Sequence, residues 1–438
     1  MQINRVATVF VNANKAGTLA EYRDVNNLAA RESYVFTYAE EYLTYGAPIG
    51  HHFPLTKTRY EFDALPPFFS NVLSEGWLRA HQAAKARLDK SDEFGLLCAN
   101  GEELIGAVSV VAGEVDTLPT DRFIQLPIPK SRTLKDKGVV IVGTSRTFND
   151  YAVDHANGQS ISGVQRKLMM KLQGNQLVPT SRGGQYIVKP APEGVAYCPE
   201  NEFFIMSLAN KVGFNTAECG LVPFEDGELA YVTKRFDILN EDERYLIEDG
   251  ASLCLVHPKH KDSEALSYET VLKRLSQVAG NSKAVTLTLF LHVVFSYIVG
   301  NNDLHLKNFS LMRKPRGQST TMDMLTPVYD VLSLAPYPQF DRACFMSISV
   351  LAIEEGDDGY FSDAYNSFGY YTKHDFVQLG INIGLPKALV EKQLKQLTRK
   401  VLKALESDVE TLMPNDMYQQ IVTRIDERCS TLGRSLDS

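Results

Sequence analysis

The 438-residue chain carries 44% hydrophobic and 22% charged side chains and a formal net charge of −8. Such a length exceeds one ordinary hydrophobic core and predicts two or three packed units. The acidic balance argues against nucleic acid held through an overall positive field, so any association with DNA is expected to run through a partner.

The opening MQINRVATVFVNANKAG lacks the apolar core and small-residue cleavage site of a signal peptide. Residues 1–130 read as a small α+β unit. A strand is expected over Val6–Val11, a turn at Asn12–Lys15, helical spacing at Phe68, Phe69, Val72, Leu73 and Trp77, and another strand over Gly106–Val111. The stretch 113–137, rich in Pro, Asp, Lys and Arg, reads as a linker. Short β-branched runs at Val139–Val142 and Tyr186–Val188, a helix from about Glu200 to Val212, and strands at Gly220–Val222 and Leu229–Thr233 predict a small sheet lobe over 131–238.

Residues 239–438 read as mainly helical, with an apolar helix at Ala284–Val299 and a long amphipathic helix from about Leu385 to Leu412. The apolar run is interrupted by His292 and is shorter than the roughly 20 residues a lone membrane span requires. A buried helix and no membrane partner are therefore expected. Cys98, Cys198, Cys219, Cys254, Cys344 and Cys429 form no CxxC pair and read as reduced thiols of a cytoplasmic protein. A sheet lobe followed by a helical lobe places a nucleotide site in the cleft between them.

Five stretches carry candidate chemistry. Ser160-Ile-Ser-Gly-Val-Gln-Arg-Lys167 lies between strands, where Gly163 permits close backbone approach and successive N–H groups can face an anion. Lys189 ends a strand and can reach phosphate oxygens as a point charge, with Glu202 as a candidate partner. Tyr231-Val-Thr-Lys-Arg-Phe-Asp237 leaves the small lobe where a hinge would read an adenine edge. Asp303 and Asn308 have the D-x-x-x-x-N spacing in which a kinase Asp accepts the hydroxyl proton and the Asn holds Mg²⁺. Asp330 ends Thr-Pro-Val-Tyr-Asp, 22 positions after Asn308, and can be the second hard oxygen ligand. Each stretch also has an ordinary structural reading: Asp and Asn in turns, a solvated strand-end lysine, an acid capping a helix, a plain connecting strand. Their order along the chain is the one a kinase requires.

Taken together, Ser160–Lys167, Tyr186–Pro190, Asn201-Glu202, Lys234–Asp237, Asp303-x-His305-x-Lys307-Asn308 and Pro327-x-Tyr329-Asp330 resemble the HipA-type toxin kinases. Phe68, Phe69, Asn71, Leu73 and Ile105–Val108 extend the resemblance into the N-terminal unit. It implies an α+β, two-lobe protein-kinase-like fold with an extra N-terminal subdomain (1–130), a small lobe (131–238) and a mainly helical C-terminal catalytic lobe (239–438).

The resemblance further implies Asp303 as catalytic base, with His305 in support. It implies an ATP site lined by Ser162, Gly163, Val164, Gln165, Arg166, Lys167, Lys189, Lys234, Arg235, Phe236, His305, Lys307, Asn308, Tyr329 and Asp330, with Mg²⁺ on Asn308 and Asp330. Implied partners are a HipB-like DNA-binding antitoxin, through which alone DNA is met, and an aminoacyl-tRNA synthetase as the phosphorylated target. Autophosphorylation falls on Ser160 or Ser162; the family commonly has Ala at the position of Ser162, and this chain offers both hydroxyls. A small-molecule phosphotransferase and a catalytically silent, antitoxin-binding co-repressor are the alternatives.

Overall fold

The computed structural model describes every residue except 1, 25, 27–31, 120–122, 149–158, 161–165, 264, 343–344, 407–410 and 434–438. The expectations placed on Ser162, Gly163, Val164 and Gln165 therefore lie outside the described residues. The chain divides into two compact units, one of 1–192, 218–258 and 312–322, the other of 193–217, 259–311 and 323–438.

The first unit begins with four strands, β1 (Gln2–Val11), β2 (Asn14–Arg23), β3 (Ser33–Tyr38) and β4 (Arg59–Phe62). After helices α1 (Gly76–Ala86) and α2 (Glu93–Asn100) come β5 (Glu103–Leu104) and β6 (Val108–Ala112). An antiparallel sheet forms in the order β4-β3-β2-β1-β6. Asn12, at φ 50°, makes the tight turn between β1 and β2, a conformation that Asn adopts more readily than most residues. The sheet closes over an aromatic core in which Phe53 packs at 5.5 Å from Phe36 and 5.3 Å from Phe68. Gly17 is required in β2, because a Cβ there would lie 2.2 Å from the Thr37 carbonyl oxygen of the next strand.

A second sheet of the same unit uses β7 (Val140–Ile141), β9 (Leu168–Gln173), β10 (Gln176–Pro179), β11 (Tyr186–Lys189), β12 (Cys219–Pro223) and β13 (Leu229–Lys234). Its order is β12-β13-β11-β9-β10-β7, and β8 (Gln159–Ser160) instead pairs in parallel with β5. The expected linker at 113–137 is corrected here. Ile124, Ile128 and Leu134 are buried in the core of this sheet, Tyr186 donates its hydroxyl hydrogen to the Pro129 carbonyl at 2.8 Å, and the Ser131 N–H donates to Glu218 at 2.9 Å. The polar composition hid three apolar anchors, and the segment is a strap packed on the sheet.

The second unit is mainly helical: α3 (Cys198–Val212), α4 (Tyr268–Val278), α5 (Lys283–Val299), α6 (Lys373–Asn382), α7 (Lys387–Leu405) and α8 (Asn415–Thr431). Ser267 and Ser282 cap α4 and α5 by accepting the N–H of Thr270 and Val285. α5 is buried without a break from His292 to Val299, with His292 between Phe214 and Phe309, and burial pushes that imidazole down to about 4. No described helix is long and apolar enough to cross a membrane. The expected single helix to Leu412 is also corrected: α7 ends at Leu405, and a further helix starts after Pro414, whose fixed φ suits a helix start.

Candidate active site

α5 ends at Gly300, whose φ of 70° turns the chain out of the helix. From Gly300 to Ser310 every residue is buried except Asp303, which is exposed. The loop beneath that carboxylate is held at almost every peptide. The Asp303 N–H donates to the Asn301 side chain at 3.2 Å, and the Asp303 carbonyl accepts from the His305 N–H at 2.8 Å and from the Asn308 side-chain amide at 2.9 Å. The Leu304 carbonyl accepts the Tyr268 hydroxyl at 2.7 Å. The Leu306 N–H donates to the Lys261 carbonyl at 3.1 Å, and Leu306–Asn308 form a single 3-10 turn. Asn302 donates to Asp341 at 3.2 Å, and Asp341 in turn receives two hydrogen bonds from Arg424 of α8, at 2.9 and 2.8 Å. Those hydrogen bonds and the guanidinium charge hold the Asp341 carboxyl below the usual carboxylate range.

Spending its amide nitrogen on Asp303 leaves Asn308 with an oxygen as its remaining functional atom. An amide oxygen beside carboxylates is the donor type a hard divalent cation takes. The second candidate ligand is joined to the same loop. Tyr329 donates its hydroxyl hydrogen to the Lys307 carbonyl at 2.8 Å, so the 2.6 Å bond between Tyr329 and Ser310 takes its hydrogen from the serine. Thr326 bonds the Ser310 carbonyl through both its N–H and its hydroxyl, each at 3.1 Å. The residue after Tyr329 is Asp330, which stands at φ 60°, a left-handed conformation sparsely used by non-glycine residues and associated with functional sites. Asn201 of α3 then fixes Ser333 in both directions, donating to its carbonyl at 2.8 Å and accepting from its N–H at 3.0 Å. Asp303, His305, Lys307, Asn308, Tyr329 and Asp330 are thus gathered in one unit.

The other described site candidates belong to the first unit. Lys189 ends β11, is 5% exposed, and has its ammonium 5.4 Å from the ring centre of Tyr231, its register partner on β13. Lys167 is buried beside β9, and the Arg166 guanidinium lies 5.6 Å over the Trp77 ring. Lys234 donates to the Ile128 carbonyl at 3.2 Å, and Phe236 is half-buried. The guanidinium of Arg235 is fully enclosed: it bonds Asp237 at 2.9 and 2.6 Å, Glu103 at 3.0 Å and the Gly184 carbonyl at 3.2 Å. Burial pushes the Asp237 carboxyl up, but the Arg235 charge and hydrogen bonds outweigh it and leave it well below the usual range. Arg244 adds a second cation 3.4 Å from Glu103, and the Gly106 N–H donates to Asp237 at 2.8 Å. Among the described residues, no group of three or more His, Cys, Asp or Glu forms a metal cluster.

Tyr268, Asp341, Arg424 and Glu103 were not legible as site supports. Each lies far in sequence from the residue it holds and follows no motif spacing.

The fold is the α+β architecture of HipA. A chain of the solved complex of Shewanella oneidensis HipA, HipB and operator DNA matches with a TM-score of 0.68 at 19% identity, over 97% of each chain. The HipA N-terminal domain description fits residues 7–111 and the HipA-like C-terminal domain description fits residues 159–407. This chain belongs to the HipA family. It is 33% identical over 308 residues to a putative kinase of Sinorhizobium fredii, covering 67% of this chain and 68% of that one. It is 29% identical over 286 residues to a putative kinase of Haemophilus influenzae, covering 63% and 82%. It is 24% identical over 408 residues to the serine/threonine-protein kinase toxin HipA of Shewanella oneidensis, covering 89% and 87%.

Proposed function

We propose that this chain is an ATP- and Mg²⁺-dependent serine/threonine protein kinase, the toxin of a toxin–antitoxin pair. The observation that carries the reading is Asp303: an exposed carboxylate on an otherwise buried, hydrogen-bonded loop, with the Asn308 amide bonded to the Asp303 carbonyl. The naming of relatives as kinases supports it.

In this reading Asp303 orients a serine hydroxyl and takes its proton. Asn308 and Asp330 hold the metal through oxygen, and His305 and Lys307 shape the loop around them. Lys189 and the segment Ser162–Lys167, with Arg166, meet the phosphates, and Lys234–Phe236 meet the adenine through their backbone. Bound Mg²⁺ would supply neutralisation of phosphate charge; the protein supplies position. A HipB-like antitoxin is the proposed partner, supported by the solved relative in complex with HipB and operator DNA, and DNA is met only through it. An aminoacyl-tRNA synthetase in the cytoplasm is the proposed target, and Ser160 or Ser162 the proposed autophosphorylation site. A phosphate there adds about −1.5 to −2 charge and repels the incoming ATP phosphates.

The test is incubation of the purified chain with labelled ATP and Mg²⁺ beside Asp303→Ala, with phosphate mapped by mass spectrometry before and after. Label on Ser160 or Ser162, absent from the variant, supports the reading. A folded protein that carries no phosphate at the start and gains none would favour the catalytically silent co-repressor instead.

A further inference from the structure

Tyr268 is the first residue of α4 and has no exposed surface. Its backbone N–H donates to the Ser349 carbonyl at 2.8 Å, and the Glu269 N–H donates to the Val350 carbonyl at 3.2 Å, so the start of α4 is pinned to the segment at Ser349-Val350. From that anchor the side chain reaches the catalytic loop. Its hydroxyl donates at 2.7 Å to the carbonyl of Leu304, the residue directly after Asp303. The ring packs edge-on against Phe309, at 6.2 Å between centres, where the loop ends. Both ends of the loop therefore rest on this one side chain.

The peptide between Leu304 and His305 has its carbonyl fixed by this bond. Rotation of that peptide would strain the neighbouring backbone at Asp303, whose own N–H donates to the Asn301 side chain at 3.2 Å. A buried acceptor that loses a donor seeks another, and a loop peptide does so by turning.

We infer that Tyr268 is a positioning residue for the base: its hydroxyl, bonded to the Leu304 carbonyl, fixes the peptide one residue beyond Asp303 and through it the backbone of the loop. The inference rests on the kinase reading of Asp303. The bond reaches neither the proposed phosphate contacts nor the metal oxygens, so its loss acts on the transfer step and not on nucleotide binding. A shift on the order of 1 Å at a reacting group costs about 100-fold in rate, which sets the scale of the effect.

The test is Tyr268→Phe in the full chain, which keeps the ring and removes only the hydroxyl. Transfer is followed over a range of ATP concentrations, beside wild type and Asp303→Ala, and amide hydrogen exchange is measured across 301–308. The expected result is a kcat lower by about 10- to 100-fold, a KM for ATP within about twofold of wild type, and faster exchange in the loop with α5 unchanged. A kcat equal to wild type overturns the inference. So does a variant that loses ATP binding and melting temperature together, since the hydroxyl would then serve the fold as a whole. If wild type transfers no phosphate, the kinase reading fails separately; exchange alone then decides whether Tyr268 holds the loop, and unchanged exchange in Tyr268→Phe ends the inference.

Discussion

Tyr329 and Lys307 are joined by a 2.8 Å hydrogen bond from the phenol hydroxyl to the backbone carbonyl, which ties the residue before Asp330 to the residue before Asn308. Tyr329→Phe removes that tie and leaves the Ser310 hydroxyl without its acceptor. The two oxygens proposed to hold the metal then lose their shared frame. The expected outcome is a roughly 10-fold higher Mg²⁺ requirement for transfer, about 1–1.5 kcal/mol, the usual value of one buried hydrogen bond. A Mg²⁺ titration of autophosphorylation measures it.

Loss of Asp330 should be the most damaging single change to activity, because charge and metal geometry go together. Asp330→Asn keeps a residue type that tolerates the left-handed backbone at φ 60°. It is expected to fold as wild type by circular dichroism and to lose transfer by more than about 100-fold.

The Arg424–Asp341 pair supports the loop from α8 through Asn302, and both side chains are 13% exposed. Arg424→Ala leaves Asp341 half-enclosed without its cation. A loss of about 1–3 kcal/mol is expected, resistant to 0.5 M salt because the pair is shielded from solvent, together with reduced transfer. Urea unfolding at two salt concentrations checks the first part and labelled ATP the second.

Arg235 sits among Asp237, Glu103 and Arg244 with no exposed side-chain surface. Arg235→Met leaves Asp237 and Glu103 to share the single cation of Arg244, and a penalty of about 3–5 kcal/mol is expected from the under-compensated buried charge. The measurement is the denaturation midpoint, or soluble yield if the variant does not accumulate.

Glu354 is 7% exposed and accepts from the Tyr371 hydroxyl at 2.7 Å and the Val350 N–H at 3.0 Å. Burial pushes its carboxyl up from 4.5 to about 7, against the opposing hydrogen bonds. Between those values the folded chain binds more protons than the unfolded one, so this group makes stability fall as pH rises through the window. Glu354→Gln copies the protonated form. It is expected to be more stable than wild type at pH 8, by about 1–3 kcal/mol, with the difference vanishing toward pH 4.5. Thermal melts across that range test the sign.

The candidate site was legible where it depends on spacing within a short segment. Asp303, Asn308 and Asp330 were singled out by their spacing, and the structure gathers them in one unit. What braces them was not. Tyr268 reads as an ordinary residue at a helix start, and only packing brings its hydroxyl to Leu304. Arg235 was placed in the stretch expected to meet nucleotide, but nothing local shows that its guanidinium is sealed between Glu103 and Asp237, since Glu103 is remote in the chain. The strap at 113–137 misled because polar composition outweighs three isolated apolar residues in any window count. The break after Leu405 was announced by Pro414, which an amphipathic pattern alone overruns.

The left-handed backbone at Asp330 also constrains how the gene can lose its activity. One-base changes to an aspartate codon yield Asn, Gly, His, Tyr, Ala, Val or Glu. Asn and Gly accept a positive φ with least strain, whereas branched Val resists it. Under selection for survivors of an uninhibited toxin, alleles that persist as stable, full-length, inactive protein should therefore be concentrated in Asn and Gly at this codon. Val alleles should instead disappear into proteolysis. Sequencing survivors and immunoblotting each allele would display that asymmetry as a mutational spectrum.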